Sequence, residues 1–217
     1  MRSIKIYVEG GGDSGEQQAQ IRAGLEELLQ AQKELAQEKR IKWKLIPRGG
    51  RSQTYDAFEN AFRQADDETL VVLLVDSEDP IAPEIQDDPE HNAKMRKDHL
   101  VRREPSWDLK GIPPSHIHLM VQCMEAWIIA DPDALAGFYG KDFHVKDLPV
   151  RHNLEDEPKP AVYDKLARAT RDCQKGQYGK VKHASKLLAL ISPAKVADRC
   201  PRFKTFTEWL TAEIEAA

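Results

Sequence analysis

The sequence predicts an α/β fold: a mostly parallel four-stranded sheet with helices on both faces and a helical carboxyl-terminal annex. Three observations carry this reading. Short apolar strands alternate with helical stretches in the order β-α-β-α-β, the order from which parallel sheets with covering crossovers are built. The run Leu70-Val71-Val72-Leu73-Leu74-Val75 is apolar without alternation, as expected of a strand buried on both faces. Beyond about residue 160 the apolar spacing is helical. A chain of 217 residues then divides into an α/β domain over 1–140, interrupted by a proline-rich insertion at about 80–114, and a basic helical region over 141–217 packed on it.

The elements follow in order. Ile4, Ile6 and Val8 alternate with Lys5 and Tyr7 and form a first strand that ends at Glu9. Gly10-Gly11-Gly12-Asp13-Ser14 comes next, and Asp13 or Ser14 can cap the helix that follows. Ile21, Leu25, Leu28, Leu29, Leu35 and Ala36 give that helix its apolar stripe, with Gln32 interrupting. Ile41 to Ile46 alternates as a second strand, closed by Pro47-Arg48-Gly49-Gly50, and Tyr55, Phe58 and Phe62 mark a helix from near Ser52. The third strand delivers Asp76-Ser77-Glu78-Asp79-Pro80. The polar stretch 80–114 carries six prolines and is either an ordered insertion or a mobile flap. Ile117 to Val121 is a fourth strand and Glu125 to Ala130 a short apolar helix. Asp131 caps the next helix, with Pro132 in its first turn. A charged loop over 141–160 leads to helices at Val162–Arg171 and Ala184–Ile191. A last helix carries Phe203, Phe206, Trp209, Leu210 and Ile214 on one face.

Composition narrows the class. Hydrophobic residues make up 41% of the chain, enough for a sizeable core. No apolar run approaches the roughly 20 residues that a membrane span requires, and Met1 to Ile6 has no signal-peptide stretch. Cys123, Cys173 and Cys200 lack CxxC spacing and read as free thiols of a reducing compartment, so a cytoplasmic location is expected. A net charge of -4 argues against a wholly basic nucleic-acid binder. The charge is uneven, however: Pro158 to Phe206 holds 12 basic residues against three acidic ones, which leaves the remainder near -13. Such asymmetry points to an anionic partner or to a solvated helical surface.

The chemistry is concentrated at strand ends. In an open parallel sheet, ligands bind outside the carboxyl ends of the strands, where Glu9 and Asp76 lie. Clustered carboxylates repel one another unless a cation neutralises them. Oxygen donors with no His or Cys close in sequence favour Mg²⁺ or Mn²⁺ over zinc, and such ions activate water and hold a phosphodiester. Glu125, inside the apolar Met124–Ala130 run, either completes the cluster or pairs with Arg48 or a late lysine. Gly10, Gly12 and Gly15 fit dinucleotide-binding spacing, and the glycine run could cradle a phosphate on backbone N–H groups. Lys44-Leu45-Ile46-Pro47, however, supplies no ribose-binding acid, and GxxxxGK[ST] is absent. Lys180, Lys182 and Lys186, with Tyr178 and His183, form the densest basic group. With Arg48 they are candidates for holding phosphate, the alternative being a solvated helix start. His116 and His118 share a face of the fourth strand and read as structural, the alternative being metal ligation with a His on an adjacent strand. His99, Arg102, Arg103 and Trp107 are weaker substrate-contact candidates.

Tyr7-Val8-Glu9-Gly10, Leu74-Val75-Asp76-Ser77-Glu78-Asp79 and Cys123-Met124-Glu125-Ala126-Trp127 together resemble TOPRIM-like (Rossmann-like) proteins of bacterial defence loci, of the RloB-like and domain-of-unknown-function 4276 type, distantly similar to OLD-family nucleases. The resemblance covers roughly the first 135 residues, and the basic tail also looks typical of the group. It implies a metal-dependent nuclease of DNA or RNA in which Glu9 is general acid/base or metal ligand and Asp76 a metal ligand. The second acid of the TOPRIM pattern falls on Glu78, a departure from its usual Asp, which leaves Glu78 or Asp79 as the partner. Glu125 matches an acid found in a comparable apolar context in RloB-like members. The resemblance further implies an AAA-type ATPase partner. Two rival readings remain: a non-catalytic scaffold or binding subunit beside such an ATPase, and a small-molecule nucleotide or phosphotransfer enzyme using the glycine-rich turn.

Overall fold

The computed structural model describes residues 1–217. Four strands, β1 (Ser3–Val8), β2 (Lys42–Pro47), β3 (Thr69–Asp76) and β4 (Ile117–Met120), form one sheet in the order β2-β1-β3-β4. Every pairing is parallel. The chain leaves β1 outward to β2, then crosses back over β1 to β3. The switch in direction therefore falls between β1 and β3, and their carboxyl ends open onto one crevice.

Strand periodicity sorts the core into two layers. Ile4, Ile6, Val8, Leu70, Val72, Leu74 and Met120 belong to a cluster of 39 buried residues on one face. Tyr7, Val71, Leu73, Val75, Ile117 and Leu119 belong to a cluster of 12 on the other. The larger layer is covered by α1 (Gly15–Leu28), α2 (Gln30–Glu38) and the carboxyl-terminal helices. These are α7 (Lys159–Thr170), α8 (Lys180–Leu188), α9 (Pro193–Arg199) and α10 (Pro201–Glu215). The smaller layer is covered by α3 (Arg51–Arg63) and α4 (Pro89–Arg103). Two short helices, α5 (Glu125–Ile128) and α6 (Pro132–Tyr139), lead from the sheet into the tail. No helix is long and apolar enough to cross a membrane.

Several boundaries differ from the sequence expectation, each for a local reason. The helix expected from Ile21 through Ala36 is two helices that break at Leu29, where φ is -105° and ψ 23° and the side chain is fully buried. The last helix is one, as expected, but a short helix that was not expected, α9, runs into it. Pro201 has no N–H to continue α9, so Cys200 becomes a junction and Pro201 opens α10. The 80–114 excursion is ordered around α4, capped by Asp88 with Pro89 in its first turn. It is tied down by Arg96, whose guanidinium donates to the Ile117 carbonyl at 2.9 Å and to Glu84 at 3.1 Å. Ser14, not Asp13, caps α1.

Helix α8 reaches the sheet by crossing α1 at Gly24, where a Cβ would lie 2.2 Å from the Ser185 carbonyl oxygen. Alanine is the better helix former by about 1 kcal/mol, yet Gly24→Ala is expected to lower stability by about 1–3 kcal/mol because the backbones must part. Urea unfolding checks this. An unchanged midpoint would mean that the two helices do not approach so closely.

Candidate acidic site at the strand ends

The crevice between β1 and β3 gathers acids from three segments. Glu9 follows β1 directly. One of its oxygens, Oε2, accepts from the Asp76 N–H at 3.2 Å and from Arg51 Nη1 at 3.1 Å, while Oε1 makes no protein hydrogen bond. Asp76 ends β3 and its side chain is 2% exposed. Oδ1 accepts from the Met124 N–H at 2.9 Å, which turns Oδ2 toward Lys159 at 3.5 Å and Lys180 at 3.9 Å. Glu78 has φ of +67° and Gln122, which accepts from the Glu78 N–H at 3.2 Å, has φ of +62°. Such backbone is uncommon for residues other than glycine and clusters at functional sites. One carboxylate oxygen from each of Glu9, Asp76 and Glu78 lies within 4.8 Å of the others. One divalent ion can bridge oxygens at that spacing.

Glu125 lies beneath them at the start of α5 and is fully buried. Tyr178 donates to its Oε1 at 3.1 Å and Lys180 approaches the same oxygen at 3.7 Å, while Oε2 has no partner. Glu125 thus pairs with a late lysine and not with Arg48, and through Lys180 it joins the cluster.

Three cations thread the acids. Lys159 donates to Glu78 at 2.5 Å, and Lys180 reaches in from the start of α8. Arg51, the first residue of α3, also donates to Glu104 at 2.5 Å and to the Asp76 carbonyl at 2.5 Å, and lies over the Trp107 ring at 5.2 Å. Glu9, Asp76, Glu78, Glu125, Glu104 and Asp79 against these three and Arg103 leave two carboxyl groups without a compensating cation, the deficit one divalent ion would fill.

Electrostatics follow from burial. Desolvation pushes the Asp76 carboxyl up to about 7, against the pull of Lys180 and with the push of Glu9 and Glu125. Burial also raises Glu9, opposed by Arg51. Burial works against the charge of Lys180, but Asp76, Glu125 and Glu9 outweigh it and raise its pKa. Lys159 is raised likewise, by Glu78 and Asp76 against its burial. Burial and the neighbouring Glu125 keep the Tyr163 and Tyr178 hydroxyls protonated.

The other sequence candidates lie elsewhere. Asp79 pairs with Arg103 and is 59% exposed. Arg48 is exposed beside the Tyr7 hydroxyl. Lys182 donates to the Lys175 carbonyl at 2.8 Å and Lys186 faces solvent. His116 and His118 bond the carbonyls of Val71 and Ser115, and burial lowers the pKa of both. His99 bonds the Ser77 carbonyl at 2.9 Å and so braces the β3 end. Arg51, Glu104 and Lys159 escaped the sequence reading. Arg51 had a usable signal: it opens the helix just beyond the carboxyl end of β2, on the edge where ligands bind. Lys159, about 80 residues from Glu78, had none.

Much of the basic surplus in the tail is internal. Lys165 pairs with Glu157, Lys195 with Asp131 and Asp133, and Arg202 with Glu155, while Arg199 donates to three carbonyls. Lys175, Lys182 and Lys186 make no ion pair and present their charge on α8 and the turn before it.

No curated protein and no solved structure matches the chain. A family model described as a domain of unknown function (DUF4276) matches residues 8–211, from the end of β1 into the last helix, and the chain belongs to that family.

Proposed function

We propose that the chain is a TOPRIM-like, metal-dependent phosphodiesterase that cleaves DNA or RNA in the cytoplasm, the activity that its strand-end motifs suggest by resemblance. The observation that carries this reading is the convergence of Glu9, Asp76 and Glu78 within 4.8 Å, each keeping a carboxylate oxygen without a protein hydrogen bond. These three residues would hold the ion. Oxygen donors alone suit Mg²⁺ or Mn²⁺, which when bound polarises a phosphoryl oxygen and acidifies water. Lys180 opposes charge that develops on the phosphate. Arg51 holds one Glu9 oxygen, so that the other keeps its direction toward the crevice. Lys175, Lys182 and Lys186 supply sequence-independent attraction for a phosphate backbone.

One observation favours a second reading, a non-catalytic scaffold beside an AAA-type ATPase: Lys159, Lys180 and Arg51 already contact the acids that a metal would need. A single pair of measurements separates the two. Mn²⁺ titration of the purified chain is expected to show one saturable site, lost in Glu9→Gln. Plasmid or structured RNA is expected to be cut only with Mg²⁺ or Mn²⁺, and not by Glu9→Gln. Equal cutting by both proteins, or no bound Mn²⁺, would overturn the nuclease reading.

A further inference from the structure

Beside the acids, and sharing Glu9 and Lys180 with them, lies a cavity of about 270 Å³ between the Gly10–Asp13 turn, α1 and α8. The ladder bridge that pins the turn uses the Gly10 N–H, which donates to Gly49. The next three N–H groups, of Gly11, Gly12 and Asp13, have no acceptor in the protein, although Gly11 is buried. Backbone donors on buried residues are nearly always paired. Gly10, Gly11 and Gly12 all have positive φ, and a Cβ on Gly11 would meet the Gln18 Cα at 2.9 Å, so glycine keeps this turn against α1. An independent feature points into the same space. Ser185 lines the cavity and is only 7% exposed, and its hydroxyl makes no hydrogen bond within the protein, whereas the hydroxyls of the fully buried Thr54 and Thr170 are bonded. The Lys180 ammonium also makes no direct hydrogen bond; its carboxylate contacts are at 3.7 and 3.9 Å.

Successive free N–H groups in the turn before a helix, an unpaired hydroxyl on a largely buried serine and an ammonium form a donor set without protein acceptors. We infer that this cavity binds a second phosphate group of the substrate, next to the phosphodiester held at the acids. The inference rests on the phosphodiesterase reading for its meaning, but phosphate binding is a separate property. The cavity holds little beyond a phosphate and part of a sugar, so it selects the group adjoining the cut, either an internal phosphodiester or a terminal phosphate. The acidic groups on its lining are Glu9 and Asp13, the second exposed.

The test uses the full chain in EDTA at low salt, so that metal and cleavage play no part. Inorganic phosphate is titrated by ³¹P NMR, alongside short oligonucleotides with and without a 5′-phosphate. Wild type is expected to bind phosphate saturably. Ser185→Ala should weaken binding by about threefold to tenfold, the worth of one hydrogen bond. Gln20→Trp, placed on an exposed lining residue where folding is not at risk, should fill the space and abolish binding. A 5′-phosphate that tightens binding assigns the site to a terminal group, and equal binding assigns it to an internal one. Absence of saturable phosphate binding, or equal binding by wild type and Gln20→Trp, overturns the subsite. Cleavage in Mg²⁺ without phosphate binding in EDTA would leave the phosphodiesterase reading intact. Phosphate binding without cleavage would do the reverse.

Discussion

Asp76→Asn is expected to reduce metal-dependent cleavage by about 10³-fold while making the metal-free protein more stable above neutral pH. The loss follows from removing the most buried of the three converging carboxylates, since a bound metal supplies several kcal/mol of charge stabilisation and each 1.36 kcal/mol is tenfold in rate. Asparagine keeps an oxygen for the Met124 N–H, so the strand end is preserved. The stability effect has a definite sign. Burial lifts the Asp76 carboxyl from its ordinary 3.8 to about 7 in the folded chain. The folded state therefore holds this proton more tightly than the unfolded state does. The stability associated with it is present below pH 4 and is lost as pH rises through about 7. Glu9, also raised by burial, acts in the same direction. In EDTA the melting temperature should fall between pH 5 and pH 8, and Asp76→Asn should recover about 1–3 kcal/mol at pH 8. Mg²⁺ should stabilise wild type at pH 8 and leave the variant unmoved. A variant that cuts at the wild-type rate would remove Asp76 from the chemistry. A wild type with flat stability from pH 5 to 8 would remove the strained carboxyl.

The largest expected effect on folding is at Arg202, which is 5% exposed. Its N–H donates to Glu155 Oε1 at 2.6 Å and its guanidinium to Oε2 at 2.9 Å, and it also donates to the Ala82 carbonyl and lies 3.8 Å from Glu84. One side chain thus joins the loop after β3, the turn before α7 and the start of α10. Arg202→Met is expected to cost about 3–5 kcal/mol, because Glu155 is left buried with one backbone donor and no countercharge. For a chain of this size each kcal/mol is about 2–4 °C in melting temperature. Replacing both partners, Arg202→Met with Glu155→Leu, should restore much of the loss, since two apolar side chains leave no stranded charge. Additive losses in the double variant would show that the pair is not coupled.

Parallel β-α-β order, the Asp131 cap, an α1 cap at Asp13 or Ser14 and the apolar β3 were legible because each is a local property: period, capping chemistry or a turn residue. Glu9 and Asp76 were legible for a related reason, since a residue that directly follows a core strand must emerge at the sheet edge. Glu125 was visible as an acid in an apolar run and a late lysine was among its expected partners, but that the lysine is Lys180 was not legible. Glu78 and Asp79 were not distinguishable in sequence, and the fold sends their carboxylates to different places. Glu78, at positive φ, has its carboxylate with Asp76, while Asp79 pairs with Arg103.

The sequence by itself determined that this chain builds a parallel sheet and carries acids to its carboxyl edge, because strand period and strand ends are set within a few residues. Only the tertiary structure decided which cations meet those acids. Lys159 and Lys180 arrive on α7 and α8 from the tail, Arg51 from α3, and Arg202 ties the tail to the insertion through the Ala82 carbonyl and Glu84. Such pairings depend on how helices far apart in the chain cross the sheet. Charge has no periodicity that announces its partner, so the twelve basic residues of the tail look alike in sequence and differ only once packing places two of them in the crevice and turns others inward or out to water.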